Sequence, residues 1–275
     1  MRQKQIKNKH LVIPVFIPFG GCEHQCVFCN QDNITGESGM PSLCEVTDTI
    51  ESYLSTWIHN GIKEVAFYGG SFTALKKQVQ VDYLKTAYRY VKDGDLDGIR
   101  LSTRPDCITE EIVEFLKSYG VSTVELGVQS MDEEVLKSSG RGHSGEDVIK
   151  ASKIIKDSGL TLGLQIMPGL PADTEERALA TAKSVASMEP SFVRVYPTLV
   201  IKDTPLHKLY ERGDYKPWSL KDMVRVCKEI KNIFEEKDIK IVRMGLQPTV
   251  ELEETLVDGP YHPAFRSLVN NELGL

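Results

Sequence analysis

The sequence predicts an α/β domain built on parallel strands with helices outside. Three observations predict it. Short apolar runs rich in Val, Ile, Leu and aromatics alternate with longer amphipathic stretches. The runs have the length of strands buried on both faces. Caps and glycines also punctuate the amphipathic stretches where helices begin and end.

In chain order the expected strands are Leu11–Pro18, Glu64–Tyr68, Gly98–Ser102, Thr123–Gly127, Leu162–Met167, Phe192–Tyr196 and Ile239–Val242. The expected helices are Cys44–Asn60, Gln78–Lys92, Glu110–Tyr119, Gly145–Ser158, Thr174–Met188 and Leu220–Lys237. In the first helix Val46, Ile50, Leu54 and Ile58 form one apolar stripe at i, i+4 spacing. Thr109 and Asp173-Thr174 precede acidic residues at helix starts, where the dipole favours negative charge. Gly120 and Gly159 fall where a left-handed cap is wanted. A closed or nearly closed barrel and an open doubly wound sheet both fit, and in either the chemistry collects at the carboxyl ends of the strands. Residues 1–244 are expected to form this core, with 245–275 as a wrapping extension.

Composition narrows the class. In 275 residues, 33 Lys+Arg face 39 Asp+Glu, a formal charge of −6, so the whole surface does not favour nucleic acid. A local basic groove would not show in that sum. No apolar run nears the ~20 residues of a membrane span. The run Leu11–Phe19 has the length of a signal core but holds two prolines and no small-residue cleavage site, so a cytoplasmic protein is expected. Six cysteines are few for a disulfide framework, and three crowd together.

Those three carry the main signal. Gly20-Gly21-Cys22-Glu23-His24-Gln25-Cys26-Val27-Phe28-Cys29-Asn30 directly follows the first strand. Thiolates at this spacing wrap one metal centre, and three rather than four leave one iron of a cubane without a protein ligand. Such an open position separates a reactive centre from a closed structural one. A zinc site remains an alternative, with His24, Cys44 or Cys107 as fourth ligand. A chance cluster of core cysteines is the other, set against polar, glycine-rich flanks.

The pattern Cys-x-x-x-Cys-x-Phe-Cys after a first strand resembles the signature of the radical S-adenosylmethionine superfamily. Phe192-Val193-Arg194-Val195-Tyr196-Pro197-Thr198-Leu199-Val200-Ile201-Lys202, Arg243-Met244-Gly245-Leu246-Gln247 and Gly259-Pro260-Tyr261-His262-Pro263-Ala264-Phe265 are similar to its Elongator catalytic subunit branch, in the form lacking the acetyltransferase domain. Oxygen-independent coproporphyrinogen oxidase is also similar. The resemblance implies a partial or near-complete (β/α) TIM-like barrel. It implies a [4Fe–4S] cluster held by Cys22, Cys26 and Cys29, whose fourth iron chelates S-adenosylmethionine. An electron donor such as a flavodoxin or ferredoxin is implied as partner.

The same resemblance places cofactor contacts at Phe28 and in the Gly69-Gly70-Ser71 loop, where backbone would grip the methionyl amine. Ser71 stands where the wider family has an acid. Ser102 stands at a carboxylate position of the coproporphyrinogen oxidase branch. Gln129 and Gln165 would bond the ribose. Arg141 would meet the methionyl carboxylate, a task that suits its planar fork. Arg194, Tyr196, Lys202 and Arg243 are expected at the barrel mouth as substrate contacts, with Tyr196 as a catalytic candidate. Without the resemblance the glutamines read as satisfied strand-end polars, Tyr196 as core, and Arg141, Lys202 and Arg243 as surface charges.

Three functions follow. One is a radical enzyme on tRNA or a related nucleobase; the second acts on a small metabolite; the third is a non-catalytic iron–sulfur protein. Formation of 5′-deoxyadenosine separates the enzymes from the carrier, and salt-sensitive tRNA binding separates the first two.

Overall fold

A computed structural model describes residues 9–18, 20–22, 26–30 and 39–271. The expectations for Met1–Gln5, Phe19 and His24 lie outside the described residues. In chain order the elements are β1 (Lys9–Ile17), α1 (Leu43–Thr56), β2 (Gly61–Gly69), α2 (Lys77–Lys92), β3 (Gly98–Thr103), α3 (Glu110–Ser118), β4 (Val121–Gln129), α4 (Glu133–Ser138), α5 (Gly145–Asp157) and β5 (Thr161–Ile166). They continue with α6 (Glu175–Ser187), β6 (Phe192–Val195), β7 (Val200–Ile201), α7 (Pro205–Glu211), α8 (Leu220–Glu235), β8 (Lys240–Met244), α9 (Val250–Thr255), β9 (Leu256–Asp258) and α10 (Phe265–Val269).

Seven parallel strands form one sheet in the order β1-β2-β3-β4-β5-β6-β8. Each strand lies beside its predecessor, without the reversal of order that defines a doubly wound sheet. The sheet curls into a partial TIM-type barrel, left unpaired between β1 and β8. The predicted strands and helices coincide with these elements to within a few residues at their ends.

Thr109 and Thr174 cap their helices as the sequence implied, and Ser42 and Ser144 add two caps that it did not single out. Ser42 and Ser144 form capping boxes with Glu45 and Asp147, and Thr109 and Thr174 accept from backbone N–H groups three residues on. Gly120 and Gly159 adopt φ of +73° and +81° after their helices. The stripe on α1 is shorter than expected. Trp57 turns extended at its end, so Val46 and Ile50 are buried, whereas Ile58 lies beyond the helix and is 87% exposed.

Helix-facing residues of the strands, such as Ile99, Leu101, Val124, Val128, Leu162 and Leu164, join one large apolar core. The barrel-facing side is different. His10, Glu64, Arg100, Glu125 and Arg194 line the interior and are joined in series. His10 lies 2.7 Å from Glu64, Arg100 bonds Glu64 at 2.5 Å and Glu125 at 3.0 Å, and Arg194 bonds Glu125 at 2.6 Å. Five strands are thus stitched from inside by charge. Burial would push the Glu64 carboxyl up, but the His10 hydrogen bond and the Arg100 charge outweigh it and hold it at about 2.

Strand β5 makes this possible. A Cβ on Gly163 would lie 2.4 Å from the Phe192 ring and 3.1 Å from Glu125. The bare backbone at Gly163 leaves room above it for Glu125 of β4 and Arg194 of β6 to meet.

Residues from 245 onward are more regular than the sequence suggested. Helix α10 delivers Phe265, Leu268 and Val269 into the main core, and β9 pairs antiparallel with β7. Among the described residues no helix is long and apolar enough to cross a membrane.

Candidate functional site

A cavity of about 2020 Å³ runs through the barrel, and its lining includes residues at the carboxyl ends of the strands. Cys22, Cys26, Phe28 and Cys29 line it from the loop after β1, with Gly69, Gly70 and Ser71 after β2. Ser102, Arg104, Gln129, Arg141 and Gln165 line it from later strand ends. Arg194, Tyr196 and Arg243 also reach it.

The two loops nearest the cysteines interlock. Gly70 N–H donates to the Ile17 carbonyl at 2.9 Å, and Ser71 N–H to the Gly20 carbonyl at 2.7 Å. A Cβ at Gly70 would lie 2.0 Å from the Gly20 oxygen, so only glycine permits this approach. Ser71 also hydrogen-bonds the Cys22 sulfur, while burial pushes that thiol above its ordinary value. Ser71 therefore supports a cysteine directly.

The cysteine loop is tied down on its far side too. Val27 N–H donates to the Ser139 carbonyl at 3.1 Å, and Leu206 N–H donates to the Val27 carbonyl at 2.8 Å. Asn30 Nδ2 donates to the Lys202 carbonyl at 3.3 Å. Val27 and Phe28 pack with Val200, Leu206 and Tyr215, so β7 and α7 form a seat for the loop.

Arg141 links this loop to the barrel. Its Nη1 donates to Cys26 Sγ at 3.1 Å and its Nη2 to the Gly127 carbonyl at 2.6 Å. Gln129 sits in the left-handed region at φ +65°, a strained conformation for a side chain of its kind. Its Oε1 accepts from Gln165 Nε2 at 3.2 Å, so the two glutamines are brought together as a pair. Ser102 donates weakly to the Phe67 carbonyl at 3.4 Å.

The four mouth residues divide. Arg194 is committed to Glu125 and Tyr68, with Nη1 reaching the Tyr196 hydroxyl at 3.5 Å. Arg243 donates to Gln247 at 3.0 Å. Lys202 does not reach the cavity: it lies on the neighbouring segment after β7, where its ammonium donates to the Glu254 carbonyl at 3.1 Å. Sequence reasoning missed Glu125, Arg100 and Tyr68, although polar residues at every second strand position were the available signal. Arg104 was placed on this face by the segment Ser102-Thr103-Arg104-Pro105-Asp106, without a role of its own.

Seven buried side-chain polar atoms among the described residues have no partner, and four belong to this region: Arg104 Nη1, Ser139 Oγ, Arg141 Nε and His143 Nδ1. Native interiors seldom leave such groups unpaired, and two guanidinium donors in one wall suit an anionic occupant. His143 Nε2 donates to the Val128 carbonyl at 3.1 Å, and burial followed by the Arg141 charge pulls its pKa down to about 4. No three His, Cys, Asp or Glu side chains among the described residues converge as ligands of a single ion, although Cys22, Cys26 and Cys29 line the same cavity.

A partial parallel barrel with three thiols after its first strand and a lined axial cavity defines a class of enzyme that works at its strand ends. This chain belongs to the radical SAM superfamily: residues 16–185 match that family, and residues 190–274 match the radical SAM C-terminal domain. Over 190 residues it is 38% identical to the tRNA uridine(34) acetyltransferase of Methanocaldococcus infernus, covering 62% of this chain and 36% of that protein. Over 188 residues it is 31% identical to Elongator complex protein 3 of Saccharomyces cerevisiae, covering 61% and 34%. The chain spans about a third of the length of these two relatives. Among solved structures, an archaeal Methanocaldococcus infernus Elp3 with an N-terminal deletion superposes with a TM-score of 0.76 at 26% identity, covering 96% of this chain and 62% of that one. Coproporphyrinogen III oxidase from Escherichia coli shares the fold, with a TM-score of 0.58 at 18% identity over 84% of this chain and 53% of that one.

Membership implies a [4Fe–4S] cluster and S-adenosylmethionine, and the residues fit both. Three cysteine thiols supply the soft donors, and glycine backbone lets the loops approach closely. The unpaired nitrogens of Arg104 and Arg141 offer buried positive charge beside them.

Proposed function

We propose that this chain reductively cleaves S-adenosylmethionine and uses the resulting radical on a nucleobase of tRNA. The observation that supports the reading most is Arg141, which touches Cys26 with one nitrogen and keeps another buried and unpaired in the same wall. In this reading Cys22, Cys26 and Cys29 hold three irons of the cluster. Arg141 takes the methionyl carboxylate, the Gly69-Gly70-Ser71 backbone the amine, and the Gln129–Gln165 pair the ribose. When bound, the cluster and S-adenosylmethionine supply an electron and a 5′-deoxyadenosyl radical for hydrogen abstraction.

The protein's own part is positional. The seat under the cysteine loop fixes the thiols, and the charged barrel interior holds Arg194 and Tyr196 at the cavity wall. The RNA substrate is supported by the names of the relatives. A flavodoxin or ferredoxin is the proposed reductant, and the cytoplasm the proposed compartment.

Anaerobic reconstitution, reduction and product analysis test the first half. Iron and sulfide near four each per chain, with 5′-deoxyadenosine formed, support it; stoichiometric zinc, or an intact cluster with no 5′-deoxyadenosine, overturns it. Cys26→Ala should abolish both signals. Filter binding of tRNA tests the second half: affinity falling steeply with salt supports RNA, and absence of binding at low salt points to a small metabolite.

A further inference from the structure

Arg104 carries a feature that no contact of the barrel explains. It follows β3, is 94% buried by its 6% relative exposure, and lines the cavity that also holds the three thiols. Its Nε donates to Asp106 Oδ1 at 3.0 Å and its Nη2 to Asp106 Oδ2, a two-point grip that fixes the plane of the guanidinium. The third nitrogen, Nη1, has no partner and is itself buried. Cys107 and then Cys22 are near enough to interact with it electrostatically. A buried N–H donor held rigidly and left unpaired is costly unless something accepts from it.

We infer that Arg104 is a positioning residue for charge at the iron–sulfur site, with Asp106 aiming its free Nη1 at the anionic centre held by Cys22, Cys26 and Cys29. The inference rests on the proposed function above and deepens it. Cluster potential depends on net charge, hydrogen bonds to sulfur and solvent access. Reduction adds one negative charge to the centre, so a fixed cation beside it favours the reduced form. Asp106 tempers that cation while orienting it. The pair thus sets how readily the cluster accepts an electron, separately from the binding of S-adenosylmethionine, which falls to Arg141.

The charge logic yields two shifts of opposite sign. In anaerobically reconstituted protein without S-adenosylmethionine, Arg104→Gln should lower the cluster's midpoint potential, followed by electron paramagnetic resonance during redox titration. Asp106→Asn should raise it, because Arg104 keeps its charge while losing its counterion. Arg104→Lys should restore most of the wild-type value. Iron content and S-adenosylmethionine affinity by equilibrium dialysis should stay within about twofold for the conservative variants, which is under half a kcal/mol.

An unchanged potential in both Arg104→Gln and Asp106→Asn overturns the inference, as do two shifts of the same sign. A large loss of S-adenosylmethionine affinity in Arg104→Gln at unchanged potential also overturns it and assigns the residue to the carboxylate. Should Arg104→Gln fail to retain iron, the sign of the Asp106→Asn shift alone decides. Wild-type protein that assembles no [4Fe–4S] cluster refutes the proposed function instead, which keeps the two failures apart.

Discussion

Glu125 and Arg194 meet at 2.6 Å above a strand to which neither belongs. Strand β5 runs between them, with Gly163 in register with Glu125 and Gln165 in register with Arg194. The Glu125 carboxylate also accepts from Arg100 and from the Tyr68 hydroxyl, at 3.0 and 2.8 Å, so four strands converge on one acid.

Removing that acid strips partly buried Arg194 of its carboxylate and leaves Arg100 with Glu64 alone. Glu125→Gln should destabilise the fold by about 3–5 kcal/mol, the range for breaking one partner out of a buried pair. Urea unfolding followed by circular dichroism measures it. A loss under 1 kcal/mol would mean that water reaches the network freely.

The glycine beneath the pair has its own expected effect. Gly163→Ala drives a methyl into the Phe192 ring, for which the available separation is 2.4 Å. Overpacking of this kind costs about 1–3 kcal/mol. The thermal midpoint should fall, and Phe192→Leu in the same chain should recover part of the loss.

Acid should unfold the protein in two overlapping stages. His143 is held at about 4 in the native state, so stability is full above its unfolded value of 6.5 and declines as pH falls from there toward 4. Glu64 is held at about 2, so its contribution is full above 4.5 and declines as pH falls toward 2. Each unit of separation is worth about 1.4 kcal/mol. Denaturant titrations across pH 3–8 should show stability falling below pH 6.5, and His143→Gln should flatten the upper part of that slope.

Arg141 should prove a binding residue first. A hydrogen bond to a charged group is worth about 1.5–3 kcal/mol, so Arg141→Ala should weaken S-adenosylmethionine binding by at least roughly tenfold. Iron content after reconstitution should be retained. Isothermal titration under anaerobic conditions checks the first, and colorimetric iron the second; equal affinity would remove Arg141 from the carboxylate site.

The frame of this protein was readable because its helix-facing side obeys simple rules. Val124, Leu162 and Leu164 announce strands by apolarity, and Thr109 and Thr174 announce helix starts by side-chain oxygen. The cysteine loop was readable because three thiols at short spacing have few other uses. Glu64, Arg100 and Glu125 were not, because a charged residue inside an apolar run marks a barrel interior only once the register of its neighbours is known. Helix α7 hid behind its brevity, although Thr204-Pro205 supplies both a cap and a favoured first residue. The partnership of Leu206 with Val27 joins distant parts of the chain, and no local pattern encodes it.

That last contact sets an order of events during synthesis. The cysteine loop leaves the ribosome well before its seat on β7 and α7, which follows it in the chain. Until Leu206 has emerged, Val27 lacks the partner that holds the loop on that side. A polypeptide stalled before Leu206 therefore exposes three less supported thiols to oxidation.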